Sequence, residues 1–250
     1  DLKTFSVMGV YGASALTTIT AQNTQGVKDV LLLEPDLIDK QIAAVTGDIE
    51  VHATKTGLLG SDRIVETTAR AIDRNNLMPL VVDPVMITKS GDSLLDESAV
   101  KVLCKKLLPL AAVVTPNRFE AARLLGQDGE IQDLHGATTA ARQICQSYGA
   151  KACVVKGIKR DNGDAGTAVD LFYDGHDAHE ITSDWRPTSN THGAGSCFSA
   201  AITAALALGE PIEEAIQTAK TVISEAIRQA TDLGHGHAPV NPLAYLKLKT

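Results

Sequence analysis

The chain lacks any apolar run approaching the roughly 18 residues that a membrane-crossing helix needs, and it carries no secretory leader pattern. The expected compartment is therefore the cytoplasm, with no membrane partner. It also lacks a basic excess. Lys and Arg number 23 against 30 Asp and Glu, a formal net charge of −7, so a nucleic-acid surface built on clustered cations is excluded. The four cysteines (104, 145, 153 and 197) have no paired metal-ligand spacing. Without a leader they imply no disulfide framework; Cys104, Cys145 and Cys153 read as small buried thiols in apolar patterns. No histidine has a ligand partner at metal-binding spacing. No charge block, low-complexity tract or Pro/Ser-rich linker breaks the chain, so residues 1–250 are expected to form one domain. A G-x-G-x-x-G turn after an early strand is missing too, which argues against a dinucleotide-binding dehydrogenase.

What remains is ordinary for a globular protein, 44% hydrophobic and 21% charged over 250 residues, enough to bury a sizeable core. Strand-like apolar runs alternate with segments of helical period. Strands are expected at Ala13–Thr20, His52–Thr56, Leu80–Asp83, Ala111–Thr115, Ala152–Lys156, Val169–Tyr173 and Ala178–Thr182. Helices are expected from Asp1, over Glu34–Val45 with Pro35 in the first turn, after a Ser61 cap, and over Asp96–Leu108. Others fall at Asn117–Leu125, Thr138–Tyr148, Ala194–Leu208 and Pro211–Ala230. This βα alternation predicts an α/β fold, a mainly parallel sheet with helices on both faces.

The most informative segment is Asn190-Thr-His-Gly-Ala-Gly-Ser-Cys-Phe-Ser-Ala-Ala201. Two glycines close a polar stretch and open directly into an Ala-rich helix. Glycine lets the backbone turn sharply and a ligand approach closely, while the free N–H groups and dipole of the helix favour an anion. The bland reading is a tight turn. In open α/β sheets ligands sit beyond the carboxyl ends of the strands. The residues expected there are Gln22 and Asn23, Lys55-Thr56-Gly57, Asp83-Pro84-Val85, Thr115 to Glu120, Lys156-Gly157 and the glycine turn. Such a rim suits a polar substrate and a metal-bound polyphosphate, with Glu120 and Asn117 as candidate partners for Mg²⁺. Each has a structural alternative: Asp83 as a turn residue before proline, Asn117 and Glu120 as a capping box, Lys156 as a solvated lysine.

Taken in order, Asp1-Leu-Lys-Thr-Phe5, Gly9-Val-Tyr-Gly12, Thr20-Ala-Gln-Asn-Thr24, Lys55-Thr-Gly57, Val82-Asp-Pro-Val-Met86, Lys89-Ser-Gly-Asp92, Leu107-Leu-Pro-Leu110, Thr115-Pro-Asn117 with Glu120, Val155-Lys-Gly157 and Asn190-Thr-His-Gly193 make nearly the whole chain resemble one family. It is that of the hydroxymethylpyrimidine and phosphomethylpyrimidine kinases of thiamine biosynthesis, within the ribokinase-like superfamily. The resemblance implies a three-layer, Rossmann-like α/β/α sandwich, ATP and Mg²⁺, and transfer to the hydroxymethyl group of a pyrimidine. It assigns Gln22, Leu58, Val85 and Asp1 to the pyrimidine, and Lys156, Thr191 and Asn117 to the nucleotide. Glu120 and Asp83 fall to the metal, Gly193, Ala194 and Gly195 to the anion hole. A homodimer is also implied.

Two departures stand out. The family's first strand and its Gly-rich substrate loop are not found ahead of Asp1. The residue after the G-x-G, the family's Cys or Asp base, is Ser196 here, with Cys197 one place later. A serine hydroxyl cannot act unaided as a base near neutral pH, whereas a thiol near pKa 8.5, lowered at a helix N-terminus, is partly ionised. Three readings stay open: Ser196 orients the hydroxyl, Cys197 substitutes through a local shift, or the protein binds without turnover. Pyridoxal or pyridoxine kinase is the alternative activity. The segment Gly234-His-Gly-His-Ala-Pro-Val-Asn241 is either the family's closing segment near the nucleotide or a flexible turn.

Overall fold

A computed structural model describes residues 1–87, 94–160 and 166–248; the Lys89–Asp92 motif lies outside the described residues. The main sheet has six strands in sequential order: β3 (Thr54–Thr56), β4 (Leu80–Val82), β5 (Ala111–Val114), β6 (Cys153–Arg160), β7 (Thr167–Tyr173) and β8 (Ala178–Asp184). The first three pairings, β3 with β4, β4 with β5 and β5 with β6, are parallel. The last two are antiparallel, β7 and β8 forming a hairpin edge.

Continuous apolar strands are what a sheet covered on both faces requires, because alternate side chains enter different layers. Val82, Val114 and Val155 lie in one core with α2 (Pro35–Thr46), α3 (Asp62–Arg74), α5 (Arg118–Leu124) and α6 (Leu134–Tyr148). Val81, Val113 and Val154 lie in the other, with α1 (Leu2–Met8), α7 (Ala194–Ala207) and α8 (Ile212–Arg228). The result is the three-layer α/β/α sandwich. Local signals agree: the Ser61 hydroxyl accepts from the Ile64 N–H at 3.3 Å, and Pro35 opens α2.

Several boundaries differ from the sequence reading. The expected strand Ala13–Thr20 forms only from Thr18, as β1 (Thr18–Asn23), and does not join the main sheet. It pairs antiparallel with β2 (Gly26–Leu32), an unexpected strand, in a separate two-stranded hairpin. Only Ile19, Ala21 and their neighbours carry the β pattern there, and the hairpin is largely exposed, so it had no core signature to read. Helix α6 starts at Leu134 because Asp133 caps it, accepting from the Gly136 N–H at 2.7 Å. The helix expected over Asp96–Leu108 is α-helical only as α4 (Glu97–Val102), then widens into a π turn ahead of Pro109. Strand β6 runs past Lys156 through an irregularity between Val155 and Ile158, where Gly157 takes φ +85°.

Candidate active site

Backbone hydrogen bonds stitch the strand ends into a common rim. The Asp83 N–H donates to the Thr56 carbonyl (3.2 Å), Thr115 to Val82 (2.9 Å) and Lys156 to Pro116 (2.9 Å). Asp83, 3% exposed, is the hub of this rim. Its Oδ1 accepts from Lys156 Nζ at 3.1 Å, and its Oδ2 accepts from the Ser199 hydroxyl at 3.1 Å with Lys55 Nζ at 4.0 Å. Lys55 continues the chain of charge to Asp1, at 3.1 Å. Burial alone would raise the Asp83 pKa, but the charges of Lys156 and Lys55 outweigh it and hold the carboxyl below its usual value. Burial lowers the Lys55 pKa, with the Asp83 charge opposing and repulsion from Lys156 adding to the fall. For Lys156 burial is outweighed by Asp83 and Glu120, which raise it. Both lysines are therefore poised by one carboxylate.

The capping box anticipated in α5 is present: Asn117 Oδ1 accepts from the Glu120 N–H at 2.9 Å, and Glu120 Oε2 accepts from the Asn117 N–H at 2.8 Å. Glu120 nevertheless faces the cavity. Burial lifts its pKa from 4.5 to about 7, with the Asp83 charge adding and Lys156 opposing. The capping residue is thus also a cavity-lining one.

At the glycine turn, Gly193 takes φ +76° and serves as the N-cap of α7. The Ala194 N–H is used by the Thr191 carbonyl (3.1 Å) and that of Cys197 by Gly193 (2.8 Å). Gly195 and Ser196 thus supply first-turn donors free for an anion among the described residues. Gly195 also brings the turn against the charge hub, since a Cβ there would lie 3.3 Å from Lys156 Nζ.

These parts converge on a cavity of about 700 Å³. Its wall includes Gln22 and Thr20 of the hairpin with Leu58 and Val85, Asn117, Glu120, Lys156, Thr191 and Gly193 through Ser196, and Trp185, Lys220, Ile223 and Ile227. Gln22 reaches it from β1, not from beyond a core strand as the sequence reading had it, and Asn23 lies beside it on the hairpin.

Two expected residues stand elsewhere. Asp1 is not in the wall but behind it, against Lys55. Cys197 is buried in the core under α1, accepting from the Thr4 hydroxyl at 3.5 Å, and burial raises its pKa. Successive helix positions point about 100° apart, which puts Ser196 on the cavity and Cys197 in the core.

One pair was missed. Lys220 of α8 and Asp170 of β7 form a buried ion pair at 2.7 Å, and Asp170 also accepts from the Gly157 N–H at 2.8 Å. A lysine between Ala219 and Val222 on the apolar stripe of α8, and an aspartate inside Val169–Tyr173, were the available signals.

For Mg²⁺ the donor set fits at one carboxylate. Glu120 faces the cavity with a pKa near neutrality, which a divalent cation would pull down. Asp83 fits poorly as a direct ligand, because both its oxygens are engaged by lysine and serine donors.

Comparison with known proteins identifies the family. The sequence profile described as phosphomethylpyrimidine kinase matches residues 1–241. The hydroxymethylpyrimidine/phosphomethylpyrimidine kinase of Haemophilus influenzae is 42% identical over 250 residues, covering 99% of this chain and 91% of that protein. The thiamine biosynthesis bifunctional protein ThiED of Geobacter sulfurreducens is 43% identical over 241 residues, 96% of this chain; the match spans only 48% of that longer protein. Among solved structures, an ADP complex of Bacillus subtilis pyridoxal kinase superposes with a TM-score of 0.89 at 38% identity, covering 98% of this chain and 91% of that one. With a matching profile over nearly its full length and relatives above 40% identity, the chain belongs to the phosphomethylpyrimidine kinase family.

Proposed function

We propose that this chain transfers the γ-phosphoryl group of ATP to the exocyclic hydroxymethyl group of 4-amino-5-hydroxymethyl-2-methylpyrimidine, and to the phosphate of its monophosphate, for thiamine biosynthesis. The observation that carries the reading is that one cavity is lined both by Gln22, Leu58 and Val85 and by Lys156, Glu120 and the Gly193–Ser196 turn. Phosphoryl transfer asks chiefly for positioning and charge stabilisation. Gln22 offers the amide that pairs with ring nitrogen and amino group, and Leu58 and Val85 sandwich the ring. The N–H groups of Gly195 and Ser196 receive the equatorial oxygens of the transferring group, and Lys156, steered by Asp83, neutralises the phosphates. Glu120 would hold Mg²⁺, which supplies further charge neutralisation when bound. Ser196 orients the acceptor hydroxyl. The same reading makes the protein a cytoplasmic homodimer, with the exposed apolar side chains Ile19, Val30, Leu31 and Leu32 of the hairpin as its contact surface; sedimentation velocity tests the dimer.

The test is ADP release from Mg²⁺-ATP with the hydroxymethylpyrimidine, its monophosphate and pyridoxal as parallel acceptors. Turnover on the pyrimidines at least tenfold above pyridoxal is expected. The reverse preference overturns the pyrimidine assignment in favour of pyridoxal. Binding of all acceptors without turnover would leave a non-catalytic ligand-binding protein.

A further inference from the structure

The segment 234–240 joins the tip of the β1–β2 hairpin to the stretch that leads into the glycine turn, although none of its residues lines the cavity. On one side it grips the tip of the β1–β2 hairpin: the His237 N–H donates to the Thr24 carbonyl at 2.8 Å. The two glycines of the segment pack directly on that tip. A Cβ on Gly236 would overlap the Thr24 carbonyl oxygen and stand 2.9 Å from the Gln25 Cα, and a Cβ on Gly234 would overlap the Thr24 hydroxyl. At Gly236 the neighbours are backbone, which cannot step aside as a side chain can. On its other side the segment grips the glycine turn. The His192 N–H donates to the Ala238 carbonyl and the Val240 N–H to the His192 carbonyl, both at 3.1 Å. The His237 ring meets the Ser189 carbonyl at 3.2 Å through Nδ1; a carbonyl only accepts, so Nδ1 carries the proton.

We infer that residues 234–240 are a clasp that couples the acceptor end of the cavity to its anion-binding turn, with Gly236 and His237 as positioning residues acting through Thr24. Gln22, which walls the acceptor end, lies two residues from the clasped Thr24, with its carboxamide oxygen 3.3 Å from the Thr20 hydroxyl. Gly193, the α7 N-cap, directly follows the clasped His192. A polyphosphate that fixes the turn thereby fixes the clasp and holds the hairpin over the acceptor. Linkage makes the effect reciprocal: acceptor binding tightens nucleotide binding by the same factor. The inference rests on the kinase reading for its ligands, while the clasp itself exists without them.

The experiment is hydrogen exchange of Thr18–Leu32 in the full chain and in Gly236→Ala, each alone and with Mg²⁺ and a non-hydrolysable ATP analogue. Without ligand, exchange in the hairpin is expected to be at least about fivefold faster in Gly236→Ala, while α3 and α6 keep wild-type protection. The analogue is expected to slow hairpin exchange at least about fivefold in the wild type, the lower bound of ordinary allosteric coupling, and less than about twofold in the variant. Its affinity, measured separately, should stay within threefold. Equal hairpin exchange in the two proteins, or equal slowing by the analogue, overturns the clasp. His237→Pro, which removes the N–H that the Thr24 carbonyl accepts, repeats the test if Gly236→Ala fails to fold; an unchanged hairpin there also overturns it. Failure of the pyrimidine to bind sinks the acceptor assignment alone, because the ligand-free comparison does not involve it.

Discussion

Replacing Asp83 by Asn removes one buried charge and leaves two lysines beside it. Breaking a buried ion pair by deleting one partner costs about 3–5 kcal/mol, chiefly because the remaining charge is stranded. Here both cations keep a second partner: Lys55 has Asp1 at 3.1 Å, and Lys156 feels the Glu120 carboxylate. The lower figure of about 3 kcal/mol is therefore expected. For a chain of this size each kcal/mol moves Tm by about 2–4 °C, so calorimetry at pH 7 should show a fall of about 6–12 °C. The acid limb of stability should change as well. A carboxyl held below its usual value contributes stability above its unfolded pKa and loses it as pH falls through the folded one, so Asp83→Asn should flatten that limb. Adding Lys156→Met to Asp83→Asn removes a stranded cation and should restore at least about 1 kcal/mol relative to simple additivity. A Tm within 2 °C of wild type, or strict additivity in the double variant, would refute the hub.

Other outcomes follow from the same geometry. Glu120 has its folded pKa raised to about 7, so its contribution to stability is complete below about 4.5 and is lost as pH rises toward 7. Glu120→Gln should abolish that decline between about pH 4.5 and 7 in ligand-free melts, and a persisting decline would place its origin elsewhere. Ser196→Cys should raise kcat at least tenfold, since a positioned base contributes about 10²–10⁴-fold; unchanged turnover would mean that proton removal does not limit the reaction. Gly195→Ala places a methyl 3.3 Å from Lys156 Nζ, which pushes the ammonium and the turn's donors apart, and should lower kcat about 10²-fold with little change in acceptor KM, the effect of misplacing an oxyanion donor. A wild-type kcat there would remove the glycine turn from the chemistry.

How much the residues foretold depended on whether each function was carried by a local pattern. The glycine turn, Asp83-Pro84 and the Asn117–Glu120 box are short sequences whose backbone consequences are local, and the parallel sheet brings them to one edge whatever their distance in the chain. The hairpin was half legible. Its residues Gln22 and Asn23 were singled out, but β2 was invisible, because Lys28, Asp29 and exposed Val30 to Leu32 show no buried face for alternation to reveal. Cys197 shows the opposite case. Adjacent in sequence to the base position, it is directed by about 100° of helical rotation into the core, a divergence that consecutive helix-start positions already implied and that counted against Cys197 as a substitute base.

The Lys220–Asp170 pair marks where sequence reasoning stops for a deeper reason. Each residue sits in an apolar pattern that, read alone, predicts burial and so argues against a charge. Only the packing of α8 over β7 supplies the partner that makes burial tolerable, at 2.7 Å. Asp170 spends its second oxygen on the N–H of Gly157, the residue after Lys156, so the pair steadies the φ +85° turn beside that cavity-lining lysine. Lys220→Met should therefore do more than strand Asp170. Without the lysine to hold it, the Asp170 carboxylate swings off the Gly157 N–H, and the loosened turn reorients Lys156, raising KM for ATP at least several-fold while acceptor KM stays within about twofold. Asp170→Asn, which keeps an oxygen for the Gly157 N–H, should retain near wild-type ATP KM despite losing stability. Equal KM defects in the two variants would show that charge, and not the turn, is what the pair maintains.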